Sequence, residues 1–455
     1  MAVHPELPPE LPPELPPELP PGPDTGLTPP PAPALFTDRY ELTMVAAALA
    51  DGTAGRDCVF EVFARRLPHG RRYGVLAGTG RLLEALPHFR FGDDELAALR
   101  EQGLSDERLL DWLADFRFSG DIDGYAEGDL YFPGSPVLTV RAPFAEGVLL
   151  ETLALSVLNH DSAIASAAAR MVAAACERPC IEMGSRRTHE EAAVAAARAA
   201  HMVGFASTSN LEAGRRYRVP TSGTSAHAFT LLHDDERSAF QAQIDTLGPG
   251  TTLLVDTYDV DQGIRTAVEV AGTGLGAIRL DSGDLPTLAT HARELLDSLG
   301  ATGTRIVVTS DLDEYAISGL MAAPVDRYGV GTSLVTGSGA PTVGMVYKLV
   351  ERDGVPVAKR YEGKRSVGGR KHAVRRHDGD GIATAEVVSS APVAAQDGDR
   401  DLVVPLVRGG ELCEPLSPPD ALARAKAHHE RVRQALPAEG WALSRGEPVL
   451  ETVPA

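Results

Sequence analysis

Polar residues able to do chemistry recur just after short apolar stretches in the middle of this sequence. Arg186, Asp256, Arg279-Leu-Asp281-Ser282-Gly-Asp284, Ser310-Asp311 and Gly329-Val-Gly331-Thr332 each follow one. The forked guanidinium groups of Arg186 and Arg279 suit phosphate oxygens. Asp281 and Asp311 can accept hydrogen bonds from ribose hydroxyls or hold a hydrated Mg²⁺, which needs only one or two carboxylates. Gly329 and Gly331 offer bare backbone N–H groups to a phosphate. Together these types point to a phosphorylated sugar. A single Asp or Ser at such a place is as readily a turn or helix cap, so the recurrence carries the argument. Neither a Walker motif nor a G-x-G-x-x-G fingerprint is present. His227 stands apart in Thr221-Ser-Gly-Thr-Ser-Ala-His-Ala-Phe, whose small residues let a bulky ligand approach. A lone histidine is more often a satisfied structural residue, and composition does not make this one catalytic.

The elements that must hold these groups alternate. The pattern predicts strands at 180–183, 252–255, 277–280, 305–308 and 326–330. Between them it predicts helices, one opening at Thr188 with Glu191 closing a capping box, others at 285–299 and 313–321. Alternation of this kind implies parallel strands joined by right-handed crossovers. The number of units suggests an α/β barrel, in which all C-terminal strand ends share one rim. The barrel is expected over 146–345, opened by an Ala-rich helix at 150–175. An N-terminal α+β domain is expected over 35–145 and a C-terminal β-like segment over 346–455. Residues 1–34 carry Glu-Leu-Pro-Pro four times in tandem, and proline at that density forbids both helix and ladder. They read as a disordered tail, with a ligand for a proline-binding domain as the alternative.

Length and composition bound the rest. The 455 residues are enough for two or three domains. With 43 Lys and Arg against 63 Asp and Glu, the net charge of −20 argues against nucleic acid and anionic membrane as partners. Four cysteines are too few for a disulfide framework, and Cys176 and Cys180 lack a second ligand pair at zinc spacing. No apolar run is long enough to span a membrane and no signal-peptide core is present, so a cytoplasmic protein is expected.

Five stretches then become recognisable as a set. Thr37-Asp-Arg-Tyr-Glu-Leu-Thr-Met, Phe60-Glu-Val-Phe-Ala-Arg-Arg-Leu-Pro, Glu182-Met-Gly-Ser-Arg-Arg, Gly223-Thr-Ser-Ala-His-Ala-Phe and Arg279-Leu-Asp-Ser-Gly-Asp occur in this order. The sequence from Leu35 to Val350 resembles nicotinate phosphoribosyltransferase. The resemblance implies the type II phosphoribosyltransferase fold: an irregular α/β barrel beside a β-rich domain formed by N- and C-terminal segments. It also implies a homodimer, with nicotinate, 5-phosphoribosyl 1-diphosphate and ATP as substrates and Mg²⁺ accompanying the phosphates. By the same resemblance His227 is transiently phosphorylated and Asp256 orients it. Tyr40 stacks on the pyridine ring from the neighbouring subunit, and Arg65, Arg186 and Arg279 surround the phosphates. Asp281 and Asp311 serve the ribose, Gly329 and Gly331 the phosphate loop, with Ser282 and Thr332 beside them. Lys359, Lys364 and Lys371 match a basic loop, or simply a solvated basic face.

Two positions bear on specificity. Met183 stands where the related nicotinamide enzymes place an aromatic ring over the base, and a thioether also packs on a ring. Ser209, next to Asn210, stands where those enzymes place a carboxylate that would repel nicotinate. Nicotinamide phosphoribosyltransferase is therefore the alternative within the class. An inactive interaction protein using the proline-rich tail is the alternative outside it.

Overall fold

The computed structural model describes residues 33–359, 367–394, 396–415 and 417–454. The Glu-Leu-Pro-Pro repeats and Lys364 lie outside the described residues.

The strand Asp57–Ala64 is buried along all but its first residue. Its valines and phenylalanines suit a strand covered on both faces. It lies antiparallel between Met345–Arg352 and Leu138–Pro143, with Val62 opposite Tyr347 on one side and Leu138 on the other. The sheet continues through Asp121–Tyr125 to Val403–Arg408 and Glu411–Leu412, and Val355–Pro356 closes its other edge. Segments far apart in the chain therefore share one seven-stranded sheet. Beside it, Lys371 Nζ lies 2.9 Å from both carboxylate oxygens of Glu61, in a nearly buried ion pair. Lys371 is thus ion-paired inside the fold, which rules out the solvated basic face as its setting.

The second sheet is all parallel, in the order Ser207–Thr208, Cys180–Glu182, Arg327–Val330, Arg305–Ser310, Ala277–Leu280, Thr252–Leu254. These are the predicted strands with one short addition, curled into an open half-barrel whose edge strands do not pair with each other. Asp259, Asp284 and Asp313 cap the helices that follow three of the strands. The capping box expected at Thr188 is absent. The helix is Glu190–Met202, capped instead by His189, whose Nδ1 accepts from the Glu191 N–H.

One helix joins the two sheets. Glu151–Ala175 is rich in alanine and can be buried on nearly every side because its side chains are small. Leu153 and Val157 belong to the core under the antiparallel sheet, while Ile164 and Met171 belong to the core of the half-barrel. A smaller sheet, Arg400–Asp401, His372–His377, Ala383–Ser389 and Thr452–Pro454, completes the C-terminal part. The helix Pro418–Gln434 runs beside it and packs on Glu190–Met202 and Leu211–Tyr217.

Candidate active site

The C-terminal strand ends open into a cavity of about 520 Å³. Met183, Arg186, Ser209, Arg279, Asp281, Asp311, Gly329, Gly331 and Thr332 line it, so sequence-distant residues do share one rim.

Arg279 projects from the strand Ala277–Leu280, where it is partly buried. One terminal nitrogen donates to the Ser225 carbonyl at 3.2 Å, while Nε is buried without a partner among the described residues. Burial lowers the guanidinium's pKa; Asp281 and Asp256 oppose the shift, and nearby Arg186 adds to it. A partly dehydrated Arg279 and an exposed Arg186 thus share one cavity, an arrangement that an anionic ligand would relieve.

The acids are tied to one another. Asp256 is almost wholly buried, and its Oδ2 accepts from the Asp281 N–H at 2.7 Å and from Ser282 Oγ at 3.2 Å. Thr309 donates its hydroxyl to the Asp281 carboxylate. Asp256 Oδ1 has no hydrogen-bond partner among the described residues. It faces Nε2 of His227 from 3.9 Å, and Asp281 Oδ2 faces the same nitrogen from 3.8 Å. His227 opens the short helix His227–Leu232, and its Nδ1 lies 3.1 Å from Thr257 Oγ1. The orienting hydrogen bond expected from Asp256 is therefore made by Thr257. The other Asp256 oxygen is committed to the Asp281 N–H and the Ser282 hydroxyl.

Six predicted residues do not line the cavity. His227, Asp256 and Ser282 form the cluster just described at its side. Asn210 caps the helix Leu211–Tyr217, accepting from the Ala213 N–H at 2.9 Å and donating to Ser185 Oγ at 3.0 Å. It positions the loop beside Ser209. Tyr40 and Arg65 lie elsewhere on the chain's surface, Tyr40 on the helix Arg39–Asp51 with 46% of its area exposed. Partial burial, then Glu151 and Glu41, raise the Tyr40 hydroxyl's pKa.

Two groups escaped sequence reasoning. Glu182 ends its strand fully buried and accepts from the Gly184 N–H and the Thr208 hydroxyl. Burial raises its pKa although Thr208 and Gly184 pull the other way. Its own carbonyl accepts from the Ser209 N–H at 2.8 Å, so it joins the turns carrying Met183, Arg186 and Ser209. An acid closing the apolar stretch Cys180-Ile-Glu was the available signal. Thr257 gave none, since a threonine after a strand is an ordinary turn residue. Gly329 is required by close approach: a Cβ there would lie 2.4 Å from Thr309 Cγ2 and 2.7 Å from Met183 Sδ.

A half-barrel with its rim cavity, beside a sheet drawn from separated parts of the chain, is the architecture of the type II phosphoribosyltransferases. Residues 35–159 match the family described as nicotinate phosphoribosyltransferase (NAPRTase) N-terminal domain. The chain is 61% identical over 428 residues to nicotinate phosphoribosyltransferase pncB1 of Mycobacterium tuberculosis, covering 92% of this chain and 94% of that protein. It is 40% identical over 332 residues to nicotinate phosphoribosyltransferase of Bacillus subtilis, covering 70% of this chain and 68% of that one. The crystal structure of human nicotinic acid phosphoribosyltransferase superimposes with a TM-score of 0.80 at 26% identity, covering 92% of this chain and 97% of that one. The chain belongs to the nicotinate phosphoribosyltransferase family. Among the described residues no helix is long and apolar enough to cross a membrane.

Proposed function

We propose that this enzyme joins nicotinate to 5-phosphoribosyl 1-diphosphate, forming nicotinate mononucleotide and diphosphate, with ATP hydrolysis coupled through phosphorylation of His227. The observation that carries the reading is Arg279, a partly dehydrated cation with an unpartnered buried Nε, next to Arg186 in a cavity that also holds Asp281 and Asp311. Breaking the bond from the ribose carbon to diphosphate leaves positive charge on the ribose and negative charge on the leaving group. The guanidinium groups stabilise the second and the carboxylates the first. Asp281 and Asp311 fit a Mg²⁺ carried mainly by substrate phosphates, which would supply further charge neutralisation there. Nicotinate is a modest nucleophile, so its alignment between Met183 and the ribose dominates the rate.

His227 is a phosphoryl acceptor held by Thr257 on one nitrogen, with Asp256 and Asp281 placed to stabilise positive charge on the ring. Tyr40 and Arg65, exposed and remote from their own cavity, serve the site of a second copy in a homodimer. Segments 35–145 and 346–455 form one β-rich unit, and 146–345 is the catalytic barrel beside it. Ser209 on the cavity wall favours the acid over the amide substrate. Incubation with nicotinate, the diphosphate donor and Mg²⁺, with and without ATP, tests the reading by mass spectrometry. Nicotinate mononucleotide is expected in both reactions and more with ATP; folded protein giving none refutes it, and preference for nicotinamide selects the alternative.

A further inference from the structure

A second cavity, of about 370 Å³, lies between the C-terminal sheet and the helix Pro418–Gln434. It shares no lining residue with the catalytic cavity. Leu130, Val432 and Leu450 give it apolar walls. Its charged and titratable lining consists of Arg375, Arg400, Arg431, His377 and His428, with no carboxylate among the lining residues.

The cationic wall is held from behind. Asp129, wholly buried, accepts from Arg375 at 2.9 Å, from Arg400 at 2.7 and 3.0 Å, and from His428 at 3.0 Å. Burial raises this carboxyl's pKa, but Arg375, His428 and Arg400 outweigh it and hold it well below the usual range. Glu386 accepts from the other arm of Arg375 and from Tyr125 at 2.8 Å. Two acids thus lock two arginines and a histidine into fixed directions, so little side-chain freedom remains to be lost on binding. They leave the wall cationic, because Arg431 has only a 3.4 Å contact with His428 Nδ1 and no carboxylate partner among the described residues. Arg375 Nε is buried without a partner.

We propose that this cavity binds a small phosphorylated ligand of nucleoside monophosphate size, separately from the catalytic site. The phosphate meets Arg400, Arg431 and His377, whose Nδ1 alone is engaged, with the Gly398 carbonyl, and the apolar body lies against Leu130, Val432 and Leu450. The volume falls within the range of small-molecule sites, and a mostly apolar pocket with a few fixed polar groups is their usual form. Arg431, the lining arginine with no carboxylate partner among the described residues, supplies the uncompensated charge, and a guanidinium suits phosphate oxygens.

Titration calorimetry of the full-length protein with adenosine 5′-monophosphate tests this, beside a variant carrying Arg431→Ala and His377→Ala. Both side chains lie outside the catalytic cavity, so nicotinate turnover and melting temperature should be unchanged. Binding at one site should weaken about tenfold or more. Unchanged affinity and stoichiometry in the folded variant overturn the proposal. Crystals soaked in tungstate, a phosphate mimic, should show anomalous density between Arg400 and Arg431; its absence there also overturns it. Benzoate should compete poorly, and competition equal to that of the monophosphate would refute a phosphate ligand.

Discussion

The hydroxyl of Thr257 lies 3.1 Å from Nδ1 of His227, and this contact sets the roll of the imidazole. Nε2 is thereby turned toward two carboxylates, Asp256 and Asp281, at 3.9 and 3.8 Å. A ring so placed is restrained by a neutral group and flanked by anions beyond hydrogen-bond range. It can gain positive charge without first having to move.

Thr257→Val keeps the side chain's shape and removes the hydrogen bond. Phosphorylation of the protein by labelled ATP should slow about ten- to hundredfold, the usual cost of a misaligned reacting group. His227→Ala should abolish acid-labile phosphorylation and ATP hydrolysis while leaving measurable ATP-independent transfer. Label retained on the His227→Ala protein would show that another residue is the acceptor.

Ser209→Asp places a carboxylate on the cavity wall facing an anionic substrate. The KM for nicotinate should rise about tenfold or more through like-charge repulsion, with nicotinamide less affected. Steady-state kinetics with both substrates decide the matter. Equal effects on the two would place the ring's substituent elsewhere.

Gly329→Ala puts a methyl group within contact-breaking distance of Thr309 and Met183. Overpacking of this kind costs about 1–3 kcal/mol, and relief by moving Met183 would narrow the cavity. A lower melting temperature together with a higher KM for nicotinate is expected. A neutral substitution would mean that Met183 swings away freely and does not define the wall.

Glu41 is buried beside Tyr40, accepting from the Thr152 N–H at 3.1 Å and from the hydroxyls of Thr152 and Thr37. Burial pushes its carboxyl up to about 7 from 4.5, against the hydrogen bonds from Thr152 and Thr37. The folded chain therefore holds this proton more tightly than the unfolded chain does. Its stabilising contribution is complete below pH 4.5 and is lost as pH rises through about 7. Glu41→Gln should flatten the stability profile across that window, read from urea midpoints. An unaltered slope would assign the pH dependence to other groups.

Much of the rim was legible because apolar stretches followed by Arg186, Asp256, Arg279, Asp311 and Gly329 mark strand ends, and parallel strands bring their ends together. What the pattern could not show is how side chains divide their hydrogen bonds once assembled. Asp256 is bound by the Asp281–Ser282 turn, a partner that exists only after two strands are side by side. Asn210 looked like a ligand group and is a helix cap, since the same amide suits both uses. The Asp129 cluster joins residues some 250–300 positions apart, separations at which no local pattern operates.

The strand Asp57–Ala64 is made early on the ribosome, yet one of its two neighbours, Met345–Arg352, emerges nearly three hundred residues later. Asp121–Tyr125 waits about as long for Val403–Arg408, which emerges later still. During synthesis the apolar edge of the first strand must remain without that partner, the circumstance in which chaperones are recruited and unpaired edges aggregate. The strands of the half-barrel all lie between positions 180 and 330 and are made before that. The strands of the catalytic rim are therefore all synthesised ahead of the last strands of the sheet beside it. A chain stopped short of Val403–Arg408 would hold every rim strand and still lack the helix Pro418–Gln434, whose Leu422, Ala425 and Val432 belong to the half-barrel's own core.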